Sequence, residues 1–324
     1  MNPLVSIGIP IYKRLNFLPD ILRVVGSQDY PHIELIVSDN GGNGTKVHQV
    51  VDRYYSRPYR FRQNPSTVSI SQHYNQLVNS ASGKYFVLLC DDDEISANFI
   101  SELVALLERF PSATAAIARQ EMMDESGAII RKSKVELPDI ISGTDCIRAI
   151  WHTHEYGFEC FATIMARTDY IKACGGYPDF RTGSHNDNAL LIKLCLNRYI
   201  AFSSNCSFRW RVYHTSHGWS ISSWDLAADS RQFLRFLDSD PRILEFSSVH
   251  PSEWKDLKSI LVRMAWQTYF GRWRGIYRER LNPLEWVATA FVMPPIPAYY
   301  KQIARTLLGI SKMAFGTWVK RLFL

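Results

Sequence analysis

No Cys-x-x-Cys pair occurs among the six cysteines of the 324-residue chain (Cys90, Cys146, Cys160, Cys174, Cys195, Cys206). Such scatter argues against a zinc site and against a disulfide framework, and it is the usage expected of reduced core thiols in a cytoplasmic protein. G-x-G-x-x-G and G-x-x-x-x-G-K-[ST] are both missing, so neither a dinucleotide fold with that fingerprint nor a P-loop NTPase is supported. The start, Met1-Asn2-Pro3-Leu4, lacks the basic stretch and apolar run of a secretory signal. Acidic residues are absent after Glu285, whereas Lys301, Arg305, Lys312, Lys320 and Arg321 all follow. Within a net charge of +6, that asymmetry points to an anionic partner for the C-terminal end, membrane or nucleic acid.

What is present describes a folded protein with room for a substantial core, as one large domain or two smaller ones. The chemistry gathers at Gly83 to Glu94. Tyr85 to Leu89 are five apolar residues that read as a buried strand, and the run ends in Asp91, Asp92, Asp93 and Glu94. Four successive carboxylates repel one another, so a divalent metal carrying a phosphate ester would compensate them; a solvated acidic loop is the other reading.

Upstream, Leu4 to Pro10 is a short strand, a polar turn holds Tyr12, Lys13 and Arg14, and Leu18, Ile21, Leu22 and Val25 recur at helical spacing. Ile33 to Asn40 is a second strand ending in an acid and followed by glycines at 41, 42 and 44; Thr45–Tyr55, Tyr59–Arg62 and Ser71–Ser80 read as helix, strand and helix. Alternation of this length predicts an α/β fold with a mainly parallel sheet flanked by helices, its polar strand tips along one edge in a mononucleotide-binding layout. Further on, Phe99–Phe110 reads as a helix, Thr114–Ala118 as a strand, 120–145 as a surface excursion and Phe161–Ala166 as a strand. Tyr199–Ser203 and Ser207–Tyr213 read as two more strands. Asp187 opens an apolar helix, where a carboxylate can cap free N–H groups.

These residues resemble glycosyltransferase family 2, inverting enzymes of the GT-A nucleotide-diphospho-sugar transferase fold. The likeness rests on four stretches in order: Val5 to Arg14, Ser38 to Thr45, Gly83-Lys84-Tyr85 with Asp91 to Asp93, and Gly175-Gly176-Tyr177 with Asn186-Asp187. It implies a catalytic domain over 1–217, with a donor half to about 95 and an acceptor half from about 96, followed by a helical C-terminal extension. By resemblance, Pro10, Tyr12, Arg14, Asp39, Asn64 and Asp91 bind the donor, with Arg62 nearby. Asp92 and Asp93 are the metal candidates for Mg²⁺ or Mn²⁺, Asp92 preferred, together with His214, for which His217 is the alternative. Asp187 is the implied general base. Departures from the family pattern are Asn186 and Ala189 in place of acids and Lys193 in place of an arginine.

After residue 218 the pattern is helical. Trp286 to Pro297 is too short and proline-rich to span a bilayer, which takes roughly 20 apolar residues. Tyr299 to Leu324, by contrast, places Tyr300, Ile303, Leu307, Ile310, Ala314 and Trp318 on one side of a helix with basic residues near the other. The expectation is peripheral association of about 281–324 with the anionic inner face of the cell membrane, a dimer or core interface being the alternative. The partners expected are a nucleotide-diphospho-sugar donor and a glycan acceptor, lipid-linked as in surface-polysaccharide assembly, and no nucleic acid. The rivals are a catalytically degenerate sugar-nucleotide-binding protein and a sugar-nucleotide pyrophosphorylase.

Overall fold

A computed structural model of the chain describes residues 2–152, 162–213 and 215–276. The first half alternates as the sequence predicts: β1 (Val5–Ile11), α1 (Leu18–Gly26), β2 (Ile33–Asp39), α2 (Thr45–Tyr54), β3 (Tyr59–Gln63), α3 (Ile70–Ser80) and β4 (Tyr85–Leu88). β1 is buried over all seven residues, which is why it reads as a continuous apolar run rather than an alternation. α1 buries Leu18, Ile21, Leu22 and Val25 on one stripe, and Ser69 starts α3 by accepting the Gln72 N–H at 3.2 Å. The strands lie in the order β3-β2-β1-β4, all parallel, so the ends of β1, β2, β3 and β4 share one edge.

The second half adds β5 (Glu94–Ile95), α4 (Phe99–Arg109), β6 (Ala113–Met123), β7 (Ile129–Lys132), β8 (Ile140–Ser142), α5 (Gly143–His152), β9 (Met165–Arg167), α6 (Thr168–Ala173), α7 (Asn186–Cys195) and β10 (Tyr199–Arg211). The sheet continues β4-β9-β6-β10-β5. β9 runs antiparallel to both neighbours and β6 pairs β10 in parallel, so the sheet is parallel in the donor half and mixed beyond it. β6 extends past the expected strand to Met123, and β7 and β8 occupy the stretch expected as a surface excursion. The two strands expected at 199–213 are one, interrupted between Ser203 and Ser207, where the Ser203 hydroxyl accepts the Asn205 N–H at 3.1 Å and replaces ladder pairing locally.

Among the described residues four helices follow: α8 (His217–Ser220), α9 (Ser223–Ser239), α10 (Pro241–Val249) and α11 (Pro251–Ile276). Two apolar clusters cover the sheet. One joins β1, β2 and β4 to α1, α2 and α4; the other joins α3, α5 and α7 to Phe233, Phe246, Leu257 and Leu261 of the C-terminal helices. Among the described residues no helix is long and apolar enough to cross a membrane. His214 and the tail at 281–324 lie outside the described residues.

Candidate active site

The strand ends meet in a cleft of about 400 Å³. Pro10, Tyr12 and Arg14 enter it from the end of β1, Asn40 from β2, and Asp91 and Asp92 from β4. His73 and Tyr74 of α3 contribute to the same space, and Arg181, Thr182 and His217 close its far side. A second hollow, about 450 Å³, opens beside it over Asn40 to Gly42 and Gln63 to Thr67.

Asn40 lies in both and had not been singled out from sequence. Its side chain imitates a strand residue: Nδ2 donates to the Val68 carbonyl (3.0 Å), while Oδ1 accepts the Val68 N–H (2.9 Å) and Nδ2 of Asn64 (2.9 Å). The loop after β3 is thereby stitched across the strand ends. Asn64, 4% exposed, acts through this bond, and Arg62 is exposed on β3. Asp39 is wholly buried, its carboxylate turned into the following loop, where it accepts N–H groups of Gly41 (2.8 Å) and Gly44 (3.0 Å) and Nδ2 of Asn43 (3.0 Å). It shapes the hollow from beneath.

The three aspartates are not equivalent. Asp91 and Asp92 line the cleft. Desolvation first, then the charge of Asp92, pushes the Asp91 carboxyl up to about 7, with Arg14 opposing. Asp92 Oδ2 accepts the Tyr213 hydroxyl at 2.6 Å and lies 3.6 Å from Arg14 Nη2, while Arg14 Nη1 donates to the same hydroxyl. Asp93 is 7% exposed and accepts the backbone N–H of Arg211 at 3.1 Å. Burial and the neighbouring Asp92 raise its pKa, and it packs under the cleft instead of lining it. Arg211 locks this turn: Nε donates to the Asp92 carbonyl (2.9 Å), Nη2 to Glu94 Oε1 (2.8 Å) and Nη1 to the Glu125 carbonyl (2.9 Å). Arg211 and Tyr213 sit some 120 residues from the aspartates they hold, so nothing local in the sequence marks the pairing.

Asp187 stands in the first turn of α7, half-buried, with Oδ1 accepting the Asn188 N–H at 2.9 Å. Its charge reaches Tyr74 and Tyr177: burial, foremost, and then this charge among others raise both phenols. Asp187 itself is not among the residues that line the cleft, whereas Tyr74 is. His217 Nε2 donates to the Thr182 carbonyl at 2.8 Å. Among the described residues no group of three or more His, Cys, Asp or Glu side chains could hold a metal by itself. The cleft offers two hard carboxylates, a donor set that suits Mg²⁺ or Mn²⁺ completed by phosphate oxygens and water.

The sequence pattern of glycosyl transferase family 2 matches residues 6–182, more than half of the chain and the ends of β1 to β4. The chain belongs to this family. An uncharacterised glycosyltransferase of Rickettsia felis is 28% identical over 135 residues, 41% of this chain and 22% of that protein. The chain thus spans about a fifth of that relative's length. Among solved structures, Staphylococcus aureus TarS 1-349 in complex with UDP-GlcNAc superposes with a TM-score of 0.64 at 15% identity, over 90% of this chain and 82% of that 1-349 chain. The mannosyltransferase PcManGT of Pyrobaculum calidifontis, in complex with GDP-Man and Mn²⁺, gives 0.52 at 14% identity over 99% and 88%. At such identities the likeness is one of fold, and that fold is the GT-A architecture of family members.

Proposed function

We propose that the chain transfers a sugar from a nucleotide-diphosphate donor to a hydroxyl group of a glycan acceptor, with inversion at the anomeric carbon. The observation that carries this is the shared cleft, in which Asp91 and Asp92 face the same space as Tyr12 and Arg14. Asp92, with Asp91 beside it, would hold Mg²⁺ or Mn²⁺, which when bound stabilises the departing diphosphate as a Lewis acid. Arg14 adds a guanidinium on the diphosphate side. The hollow over Gly41, Gly42 and Asn64 receives the base or ribose, and Asp39 keeps its floor in shape. Asp187 removes the acceptor proton as the oxygen attacks. One displacement, with no covalent enzyme intermediate, inverts the configuration.

The basic, acid-free stretch after Glu285 supports an acceptor that is lipid-linked and a chain that works at the inner face of the cell membrane in surface-polysaccharide assembly. A second reading, a sugar-nucleotide-binding protein without turnover, is favoured by Asn186. Where the family carries an acid, Asn186 is 1% exposed and spends its amide on Ser71 Oγ at 2.6 Å.

Binding of UDP, GDP, UDP-GlcNAc and GDP-mannose with Mn²⁺ or Mg²⁺ tests the donor reading, and binding without turnover selects the second one. D187N is expected to abolish transfer while leaving nucleotide affinity within about twofold. Transfer at the wild-type rate would remove Asp187 from the role of base.

A further inference from the structure

We propose that Asp229, in the C-terminal helical region, is a positioning residue that fixes the acceptor side of the site by holding the loop between Tyr177 and Asp187. This rests on the transferase reading above and extends it to a residue outside the matched family segment, which ends at 182.

Asp229 lies on α9 and is wholly buried. Both carboxylate oxygens accept the Thr182 N–H, each at 3.0 Å; Oδ2 also accepts the Thr182 hydroxyl and the Ser184 N–H, the latter at 3.1 Å. A buried carboxylate is tolerated only when its lone pairs are satisfied, and here every one of these donors comes from a three-residue stretch. The ends of the loop are anchored differently. Ser71 Oγ donates to the Pro178 carbonyl at 2.8 Å and accepts from Asn186 at 2.6 Å, so α3 holds both flanks. Asp229 holds the middle, beside Gly183, whose φ of +79° makes the turn.

That middle is the functional part. Arg181 and Thr182 form the far wall of the cleft, and Asp187 follows five residues after Thr182 in the first turn of α7. A carboxylate that sets Thr182 and Ser184 therefore sets the distance between the candidate base and the donor. Displacement of a reacting group by about 1 Å costs on the order of a hundredfold in rate, without any contact between Asp229 and substrate.

The test uses the full chain and D229N, which keeps the shape but turns an amide toward N–H donors. Hydrogen exchange at the Thr182 and Ser184 amides is expected to quicken at least tenfold in D229N, while strand amides of β1 and β4 keep their protection. Hydrolysis of UDP-GlcNAc and GDP-mannose with Mn²⁺, counted per UDP-binding site by calorimetry, is expected to fall about a hundredfold with donor KM within twofold. Loss of folded protein alone would lower the number of sites and leave turnover per site unchanged, and that result overturns the proposal, as does unchanged exchange at Thr182 and Ser184. T182V removes the Thr182 hydroxyl, with its bonds to Asp229 and to Ser184 Oγ, but keeps the Thr182 N–H to Asp229, and serves where D229N does not fold; a loss of a few-fold per site is expected, and the absence of any loss overturns the proposal. If wild-type protein binds neither UDP nor GDP and hydrolyses neither donor, the transferase reading fails, and exchange still decides whether Asp229 fixes the loop.

Discussion

Tyr213 stands between two charges, taking an N–H from Arg14 and giving its own proton to Asp92 Oδ2 at 2.6 Å. Hydrogen bonds to a charged group contribute about 1.5–3 kcal/mol, and about 1.4 kcal/mol is a factor of ten in affinity. Tyr213→Phe should accordingly weaken Mn²⁺-dependent UDP binding by about tenfold in calorimetry. Equal affinity in the variant would mean that Asp92 needs no such brace. His73 makes a prediction about pH. It is 4% exposed in the wall of the cleft, with Nε2 bonded to Ser38 Oγ at 2.9 Å, and burial drives its imidazole from 6.5 down to about 4. The unfolded chain binds this proton first as pH falls, so the contribution of neutral His73 is complete above about 6.5 and is lost on going down toward 4. The ceiling on that loss is about 3 kcal/mol. Asp91 and Asp93, whose pKa values are raised, push stability the opposite way, so the quantity to follow is the difference between wild type and His73→Asn in denaturant titrations from pH 7 to 4. That difference should shrink as pH falls, and a constant difference would place the proton elsewhere. At this scale the sequence showed which acids sit at strand ends but not their orientation. An aspartate before glycines suits a ligand and suits a turn equally well, and Asp39 makes the turn; Asp93 is turned away by Arg211, 118 residues later.

Elements depend on how closely their ends can approach. A Cβ at Gly41 would lie 1.6 Å from the Tyr12 carbonyl oxygen, so the turns after β1 and β2 can touch only because residue 41 has no side chain. Gly42, next to it, has a φ of +72° and nothing within 4 Å of an added Cβ. The two glycines therefore fail for different reasons. Gly42→Ala meets only the left-handed backbone penalty, about 1 kcal/mol. Gly41→Ala must push two strand ends apart and should cost about 3 kcal/mol, with UDP affinity falling in parallel because the hollow and the cleft adjoin there. Equal losses in thermal unfolding for the two variants would contradict the clash. The alternation of β1 to β4 with α1 to α3 was legible because each strand is a buried apolar run and each helix carries a single apolar stripe. β7 and β8 were not, since both are short and none of their residues is buried, which leaves no burial pattern to read. β10 was divided in two because its interruption at Ser203 to Ser207 has the polar composition of a turn.

For the molecule as a whole, the question is what the helices after residue 217 are for. Phe233, Phe246, Leu257 and Leu261 are at most 2% exposed and belong to the same apolar cluster as Leu190, Leu194, Ile117 and Phe86. Arg148 on α5 is held from α11 by Glu253 at 3.2 Å and Asp256 at 3.1 Å. Each fully buried large apolar side chain contributes about 1.5–3 kcal/mol, against a net stability for a folded domain of about 5–15 kcal/mol. Ending the chain at residue 217 removes several such side chains and also Asp229 and Ser230, which hold Thr182 and His185. A chain of residues 1–217 is therefore expected to lack a cooperative thermal transition and to bind a dye for exposed apolar surface. Ending it at residue 280 is a different operation, because it keeps all of α9 to α11. That shorter protein should melt within about 2 °C of the full chain, bind UDP with Mn²⁺ equally well, and no longer sediment with phosphatidylglycerol vesicles. Cosedimentation that persists after removal of 281–324 would move the membrane contact onto the folded part. A cooperative transition in 1–217 would show instead that the family segment folds without its helical buttress.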